Sequence, residues 1–299
     1  MIQVEHLHKK YGATAAITDI NFEVERGQVV GFLGPNGAGK STTMRILTGA
    51  LGATSGRALF DGKDVFEHPR EVKRRIGYLP EVPPLYPNMV VRDYVRFAAR
   101  LKGLSDETAA ADKVIERVGL HKVSHRIIEH LSKGYRQRVG IAQALVHDPE
   151  VLVLDEPNSG LDIAQRIEIR ELLVELASDQ RTIILSTHVL ADIEAICRRV
   201  LIISEGRLVG QGDIQTLGGD SRSVEVVLAR PTAATVATLG AVPGVIDAED
   251  VGANRFRIRC VGDQREAIAA AALPFGLIEL VGRQSLEDIY LRLTQGGSR

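Results

Sequence analysis

One stretch decides the fold of this chain: Gly34-Pro35-Asn36-Gly37-Ala38-Gly39-Lys40-Ser41-Thr42. The apolar run Val29–Leu33 precedes it, and helix formers follow from Lys40 onward. In this context of buried strand, loop and helix, the pattern GxxxxGK[ST] indicates a phosphate-binding loop. Glycines let backbone N–H groups converge on phosphate oxygens, and the N-terminus of the following helix adds its positive end. We therefore expect Lys40 to reach the terminal phosphates of a nucleotide and Ser41 to ligate Mg²⁺.

A second motif lies where another buried strand ends. The apolar run from Val151 to Leu154 is followed directly by Asp155 and Glu156. Ligands bind outside the carboxyl ends of parallel strands, so both carboxylates should face the nucleotide. We expect Asp155 to hold Mg²⁺ through water and Glu156 to polarise the attacking water as a general base. A strand that ends in Asp-Glu means little alone, and it gains its meaning from the phosphate-binding loop.

Apolar periodicity along the rest of the chain predicts an α/β fold. Ile20, Phe22 and Val24 alternate with polar residues, which indicates an antiparallel strand that is buried on one face. Beyond Val151, strands alternate with helices and predict a parallel core sheet with right-handed crossovers. A mostly helical stretch, residues 85–148, is interpreted as an inserted subdomain. The expected helices are Arg92–Lys102, Asp106–Val118, Tyr135–Val146, one from Ile163, and Val189–Cys197; the expected strands are Val29–Leu33, Val151–Leu154, Thr182–Ser186 and Val200–Ile203, with a turn at Asp61-Gly62.

The pattern changes near Gly218-Gly219, and we predict a domain boundary there, between residues 1–219 and 220–299. The order βαββαβ in the second part predicts a small α+β module of ferredoxin-like type. Ser285 and Asp288 form a candidate capping pair for a last helix. The expected strands of the module are Ser223–Ala229, Val245–Ala248, Arg255–Cys260 and Leu277–Val281, and the expected helices are Ala233–Leu239 and Arg265–Leu273.

Composition and charge narrow the class of protein. The chain has 299 residues, a formal net charge of -1 and 44% hydrophobic residues, so it is globular and lacks the basic surplus of a nucleic-acid-binding protein. Cys197 and Cys260 have no CxxC spacing, so we expect a reducing compartment and neither a disulfide framework nor a zinc site. The first residues do not predict a signal peptide, and the sequence has no run of about 20 apolar residues, so we expect a membrane role only through a partner.

Together the two motifs resemble those of the ATP-binding cassette family, and this resemblance covers about residues 1–215. The segment Leu131-Ser132-Lys133-Gly134 resembles the family's signature loop, usually written LSGGQ, from which Lys133 and Tyr135 depart. Taken alone, the same segment is a helix start in which Ser132 caps the helix at Tyr135. The segment Ser159-Gly160-Leu161-Asp162 resembles the family's D-loop, and Ser186-Thr187-His188 resembles its H-loop.

Three single residues acquire roles through this resemblance. His188 is implied to donate to the γ-phosphate, and Tyr11 to stack on adenine. Glu81 stands where the family usually has a glutamine that touches Mg²⁺ and relays movement to the permease; a glutamate there resembles export-type members for drugs, sodium or gliding motility. Without the resemblance, His188 is a structural histidine, Tyr11 a turn aromatic and Glu81 a solvated carboxylate.

The resemblance also implies how such a chain works. Two copies would pair head to tail, and each ATP would lie between the phosphate-binding loop of one copy and the signature loop of the other. Asp162 of the D-loop is implied to be one of the nucleotide-binding residues. A separate integral-membrane permease would dock on the helical subdomain, which places the chain on the cytoplasmic face of the cell membrane without direct nucleic-acid contact. The alternatives are a soluble cassette ATPase of DNA repair or the ribosome, and a nucleotide-binding pseudo-ATPase. Repair members carry coiled-coil insertions or zinc cysteines, and ribosomal members carry two cassettes.

Overall fold

The computed structural model describes residues 1–178, 181–214, 217, 221–283 and 286–295. The chain divides into two compact units, Met1–Gly212 and Asp213–Arg299. The glycine pair that marks the predicted boundary, Gly218-Gly219, lies outside the described residues.

A six-stranded sheet forms the centre of the first unit, in the order β10-β9-β3-β8-β7-β6. The neighbouring pairs from β9 to β6 are all parallel, as the alternation of strands and helices predicts. Strands β3, β7 and β8 are buried throughout, because such a sheet is covered on both faces. The strands are β3 (Val29–Leu33), β6 (Ile76–Leu79), β7 (Val151–Asp155), β8 (Thr182–Thr187), β9 (Arg199–Ser204) and β10 (Arg207–Asp213).

A second sheet of four strands has the order β2-β1-β4-β5, and its pairs are antiparallel. Its strands are β1 (Ile2–Tyr11), β2 (Thr14–Val24), β4 (Ser55–Phe60) and β5 (Lys63–Asp64). Asp61 and Gly62 form the predicted turn between β4 and β5, both with positive φ, as a two-residue hairpin loop requires. The two sheets share one core, in which the rings of Phe22 and Phe32 lie 5.8 Å apart.

Helix α1 (Lys40–Leu47) follows β3 and contacts strands of both sheets. Helix α2 (Pro69–Arg75) begins with proline, which suits the first helical position. The predicted helical subdomain lies between β6 and β7 and consists of α3 (Val91–Leu101), α4 (Glu107–Arg117) and α5 (Lys133–Leu145), which pack on one another. Helices α6 (Ile163–Ser178) and α7 (Leu190–Ile196) connect the later strands, as predicted.

The second unit has the predicted order βαββαβ followed by a helix. Its sheet runs β12-β13-β11-β14 with every neighbouring pair antiparallel, which is the ferredoxin-like arrangement. Phe256, Ile258 and Cys260 of β13 face a separate apolar core. The predicted cap, Ser285 with the side chain of Asp288, lies outside the described residues. The elements are β11 (Ser221–Leu228), α8 (Thr235–Gly240), β12 (Val245–Gly252), β13 (Arg255–Val261), α9 (Arg265–Ala272), β14 (Leu277–Arg283) and α10 (Leu286–Gln295).

The sequence patterns missed β1, β4, β5, β6, β10 and α2, and they placed the start of α5 two residues late. The start at Lys133 follows from Ser132, whose Oγ accepts the backbone N–H of Tyr135 at 3.4 Å and caps the helix, as one interpretation of the segment predicts. In the part of the chain that the structure describes, every helix is too short or too polar to cross a bilayer.

Candidate nucleotide-binding site

The glycine-rich loop between β3 and α1 folds tightly against its surroundings. Gly39 has φ 104°, and a side chain there would place its Cβ 2.8 Å from the carbonyl oxygen of Ala16. At Gly34 a Cβ would lie 2.4 Å from the carbonyl oxygen of Ile203. The two positions therefore need glycine for close packing, and the loop stays narrow enough for its backbone to approach a ligand.

Lys40 is held at the centre of this loop although its side chain is charged. The residue is 5% exposed, and its Nζ donates to the carbonyl oxygens of Gly34 at 2.8 Å and Pro35 at 3.1 Å. The same Nζ lies 3.2 Å from Oε1 of Glu156, as an ion pair without hydrogen-bond geometry. A buried ammonium with so few anionic partners fits a polyphosphate ligand.

A cleft of about 360 Å³ opens above the loop. Glu81 and Glu156 lie on its wall together with Lys40 and Ser41. Lys40, Ser41, Glu81 and Glu156 therefore meet at one place, although they come from three separate parts of the chain. The residues lining the cleft are Ala16, Asn36, Gly37, Gly39, Lys40, Ser41, Thr42, Glu81 and Glu156.

Asp155 lies at the end of β7, beside the first turn of α1. Its Oδ1 accepts hydrogen bonds from Oγ of Ser41 at 3.1 Å and Oγ of Ser186 at 2.6 Å. Burial raises the pKa of Asp155, the negative charges of Glu156 and Glu81 raise it further, and the two serine hydrogen bonds act in the opposite direction. A hydroxyl and several carboxylate oxygens suit Mg²⁺, whose charge would offset this concentration of acids, so the residues fit the metal.

Glu156 occupies a strained turn directly after β7. Its φ is 48°, which is uncommon for a residue with a side chain, and its N–H donates to the backbone oxygen and to Oγ of Ser186, each at 3.1 Å. The residue is 6% exposed, and its Oε2 accepts from Nδ1 of His188 at 2.9 Å. Its Oε1 is buried, accepts no hydrogen bond and lies 3.2 Å from Nζ of Lys40, so a shift of Lys40 toward a ligand would leave this oxygen as an acceptor.

The signature-like segment lies elsewhere in the chain: none of its residues lines the cleft around Lys40. Leu131 is buried, and Ser132, Lys133 and Gly134 form the start of α5. Nζ of Lys133 lies so close to Gly160 that a Cβ on that glycine would be 2.1 Å away. The segments that resemble the signature loop and the D-loop are therefore neighbours.

Two further predicted residues also lie apart from the cleft lining. Asp162 accepts the backbone N–H of Gln165 at 2.9 Å and so caps α6. Tyr11 ends β1 with 48% of its surface exposed, and Nζ of Lys9 lies 5.3 Å from its ring centroid. An exposed ring at this position has a face available to a planar ligand.

Sequence reasoning missed the role of Ser186 as a connection between the two acidic residues. It is completely buried, donates to Asp155 and accepts from Glu156. The signal is the parallel register of β7 and β8, which pairs Asp155 with Ser186. The sequence places Ser186 only as the first residue of the H-loop, and that register exists only in the folded sheet.

Comparisons with known proteins agree with this geometry. A sequence profile for the ABC transporter family matches residues 17–159. The bacitracin transport ATP-binding protein BcrA of Bacillus licheniformis is 40% identical over 210 residues, which are 70% of this chain and 68% of that protein.

Two further matches extend the comparison. An uncharacterized ABC transporter ATP-binding protein of Synechocystis is 34% identical over 283 residues, 93% of this chain and 78% of that protein, so the similarity reaches into the second unit. The solved structure of cbiO1 from Clostridium perfringens, part of an ABC transporter complex, has a TM-score of 0.64 and 35% identity, and covers 71% of this chain and 88% of that one.

Proposed function

This chain belongs to the ABC transporter family as an ATP-binding ATPase subunit, and we propose that it hydrolyses Mg-ATP in a head-to-tail dimer to drive export through a separate membrane permease. The arrangement around Glu156 carries the proposal: a buried carboxylate lies between Lys40 and His188, and its Oε1 accepts no hydrogen bond. A protein that binds nucleotide only as a scaffold would need no such carboxylate.

Lys40 changes partners when ATP binds. Its Nζ now donates to the loop carbonyls and faces Glu156, and the triphosphate offers a stronger, multiply charged acceptor. The move of Lys40 toward the β- and γ-phosphates frees Glu156 from its positive neighbour. Ser41, Asp155 and Glu81 would hold Mg²⁺, which would supply positive charge to offset that of the phosphates.

Glu156 then receives the proton of the attacking water on Oε1 as a general base. His188 orients the other carboxylate oxygen through Nδ1, since a carboxylate only accepts hydrogen bonds. If Nε2 of His188 is also to donate to the γ-phosphate, the ring carries a proton on both nitrogens.

The partner copy completes each site in this proposal. Ser132, Lys133, Gly134 and the D-loop do not line the cleft of their own chain, and a head-to-tail copy presents them to the other cleft. Two equivalent sites follow from the twofold symmetry. ATP then closes the dimer, and hydrolysis releases it.

The segment after Glu81 supports a permease as the second partner. Glu81 lines the phosphate cleft and also a second cavity, of about 440 Å³, between this segment and the start of α5. Val82 and Tyr86 expose 80% and 51% of their surfaces beside it. A partner that covers these side chains would feel changes at the nucleotide, and it would hold the chain on the inner face of the membrane.

Export is the direction that Glu81 supports, because a glutamate at this position resembles export-type members of the family. The contacts with the transported compound would lie in the permease and not in this chain.

A turnover assay with purified protein tests the enzymatic part. We expect ATP hydrolysis that depends on Mg²⁺, and weaker ATP binding in Lys40→Ala, since that change removes the charge on the phosphates. Protein that binds ATP without turnover would be the pseudo-ATPase. Co-purification from membranes with an integral-membrane protein tests the transport part, and co-purification with ribosomes or DNA instead would favour the soluble alternative.

A further inference from the structure

A buried carboxylate outside the cleft connects the segments that carry the catalytic pair. Asp192, the third residue of α7, is 1% exposed. Its Oδ1 accepts from Nε and Nη2 of Arg170 at 3.0 and 2.7 Å, and its Oδ2 accepts from Nδ2 of Asn158 at 2.8 Å. A charge at this depth is stable only with such partners, so the three side chains form one unit.

Each partner of Asp192 belongs to a different functional segment. Asn158 is 6% exposed and lies two residues after Glu156, in the turn that leaves β7. Helix α7, which carries Asp192, begins two residues after His188. Arg170 lies on α6, the helix that directly follows the D-loop. One carboxylate therefore joins the turn of Glu156 to the helix that follows His188.

The orientation of Asn158 is fixed by chemistry. Both oxygens of a carboxylate accept hydrogen bonds, so only the NH₂ group of the amide can face Asp192. The amide Oδ1 is consequently left buried and without a partner. An unsatisfied buried acceptor destabilises a fold, and an apolar side chain of the same size would avoid it. Packing alone does not account for an asparagine here.

The backbone beside Asn158 needs external support. Glu156 has φ 48°, a conformation that persists only where the surroundings enforce it. Within the turn, the N–H of Ser159 donates to the oxygen of Glu156 at 3.0 Å, and the N–H of Leu161 reaches the oxygen of Asn158 at a long 3.4 Å. The side chain of Asn158 adds a contact that fixes the turn against α7.

We propose that Asp192, acting through Asn158, is a positioning residue that holds Glu156 at hydrogen-bond distance from His188. The proposal rests on the proposed function, because it assumes that Glu156 and His188 act in hydrolysis. It assigns no contact with nucleotide to Asp192. A shift of about 1 Å in a catalytic group is enough to slow a reaction on the order of a hundredfold.

The decisive variant is Asn158→Leu, which keeps the branched shape of the side chain, removes its hydrogen-bonding groups and leaves the Asp192–Arg170 ion pair in place. We expect kcat to fall about tenfold or more while the KM for ATP changes less than about twofold, since the phosphate contacts are untouched. Without nucleotide, hydrogen exchange of the backbone amides of residues 156–162 should become faster. Thr182→Val is the matched control: it removes a buried acceptor of the Gly27 N–H at the opposite end of the sheet.

A second test exchanges the two side chains. Asp192→Asn alone should slow turnover, and Asn158→Asp combined with Asp192→Asn should recover most of the loss. In the double variant, the amide introduced at position 192 donates to the new carboxylate and keeps an oxygen for Arg170. Recovery also shows that the double variant folds.

Two results would overturn the proposal. One is parental kcat and parental exchange in Asn158→Leu; the other is a loss of kcat in Thr182→Val as large as that in Asn158→Leu. The exchange experiment needs no ATP and so separates this proposal from the proposed function. A parent protein without turnover, but with faster exchange only in Asn158→Leu, would refute the hydrolysis and keep the link between Asn158 and Asp192.

Discussion

Nδ1 of His188 lies 2.9 Å from Oε2 of Glu156, although 31 residues separate them in the chain. The contact arises because β7 and β8 are parallel neighbours and end at the same edge of the sheet. The other oxygen, Oε1, accepts no hydrogen bond and faces Nζ of Lys40 at 3.2 Å. In the proposed mechanism Lys40 turns to the phosphates of ATP, and this oxygen then serves as the general base.

Glu156→Gln should abolish most of the turnover. Glutamine keeps the shape and the contact with His188 but cannot accept the proton of water, so we expect kcat to fall at least about a hundredfold. ATP should still bind, and the closed dimer should accumulate. The measurement is steady-state hydrolysis with nucleotide titration alongside, and Glu171→Gln, an exposed carboxylate of α6, is the control. Near-parental turnover in Glu156→Gln would refute the role of Glu156.

Ser186→Ala should weaken the response to Mg²⁺ more than the binding of ATP. The serine supplies one of the two serine hydrogen bonds to Asp155 and one acceptor for the N–H of Glu156. A typical hydrogen bond contributes about 1 kcal/mol, so the Mg²⁺ concentration for half-maximal turnover should rise roughly fivefold. Thr182→Val, at the other end of the same strand, should leave that concentration unchanged. An identical Mg²⁺ response in both variants would show that Ser186 does not support the metal site.

The central part of this fold could be predicted because its signals are local. Strand β3, the glycine loop and α1 follow one another within residues 29–47, and each has its own pattern. Strand β6, with four residues, is too short to show a period, and β4 depends on pairing with β1. The hydrogen bond between Asn158 and Asp192 joins residues that lie 34 positions apart, and no local pattern in either segment predicts it. The motifs therefore predict residues that the fold brings together, such as Lys40, Ser41 and Glu156, but their mutual contacts depend on the sheet register.

Ser132→Arg should block the closed dimer and spare nucleotide binding by the monomer. In the proposed assembly this loop contacts the nucleotide of the partner, where a bulky side chain would not fit. Loss of the cap on α5 would by itself cost about 1 kcal/mol, so Ser132→Ala is the matched control that loses the same cap without added bulk. Sedimentation with a slowly hydrolysed ATP analogue measures the dimer. A normal dimer in Ser132→Arg would contradict the composite site.

A chain that ends at Ile214 should fold and bind ATP. It retains β10, the last strand of the six-stranded sheet, and the second unit has an apolar core of its own. The described contacts of Lys40 and Asp155 all lie within the first unit. Circular dichroism and nucleotide titration of the shortened chain check this. Insoluble protein, or loss of ATP binding, would show that the first unit depends on the second.

Glu81 should matter more for coupling to the permease than for binding of nucleotide. A carboxylate can ligate Mg²⁺ as the amide oxygen of glutamine does. It also adds negative charge beside Glu156 and Asp155, and this charge is one of the causes that raise the pKa of Asp155. The two effects oppose each other, so Glu81→Gln should change ATPase activity by less than about tenfold, or roughly 1.4 kcal/mol of barrier.

Glu81→Ala removes the ligand and also the side chain that lines both the phosphate cleft and the neighbouring cavity. Nucleotide affinity should stay close to that of the parent, because Lys40 and the loop remain. Hydrolysis should no longer respond to the permease, and ATPase rates measured with and without the permease in membranes check this. Glu129→Ala, on the wall of the second cavity alone, is the control. If the permease raises the ATPase rate of Glu81→Ala as strongly as that of the parent, Glu81 is a solvated carboxylate without a part in coupling. A residue that transmits the state of the nucleotide to the permease cannot be removed without loss of this stimulation.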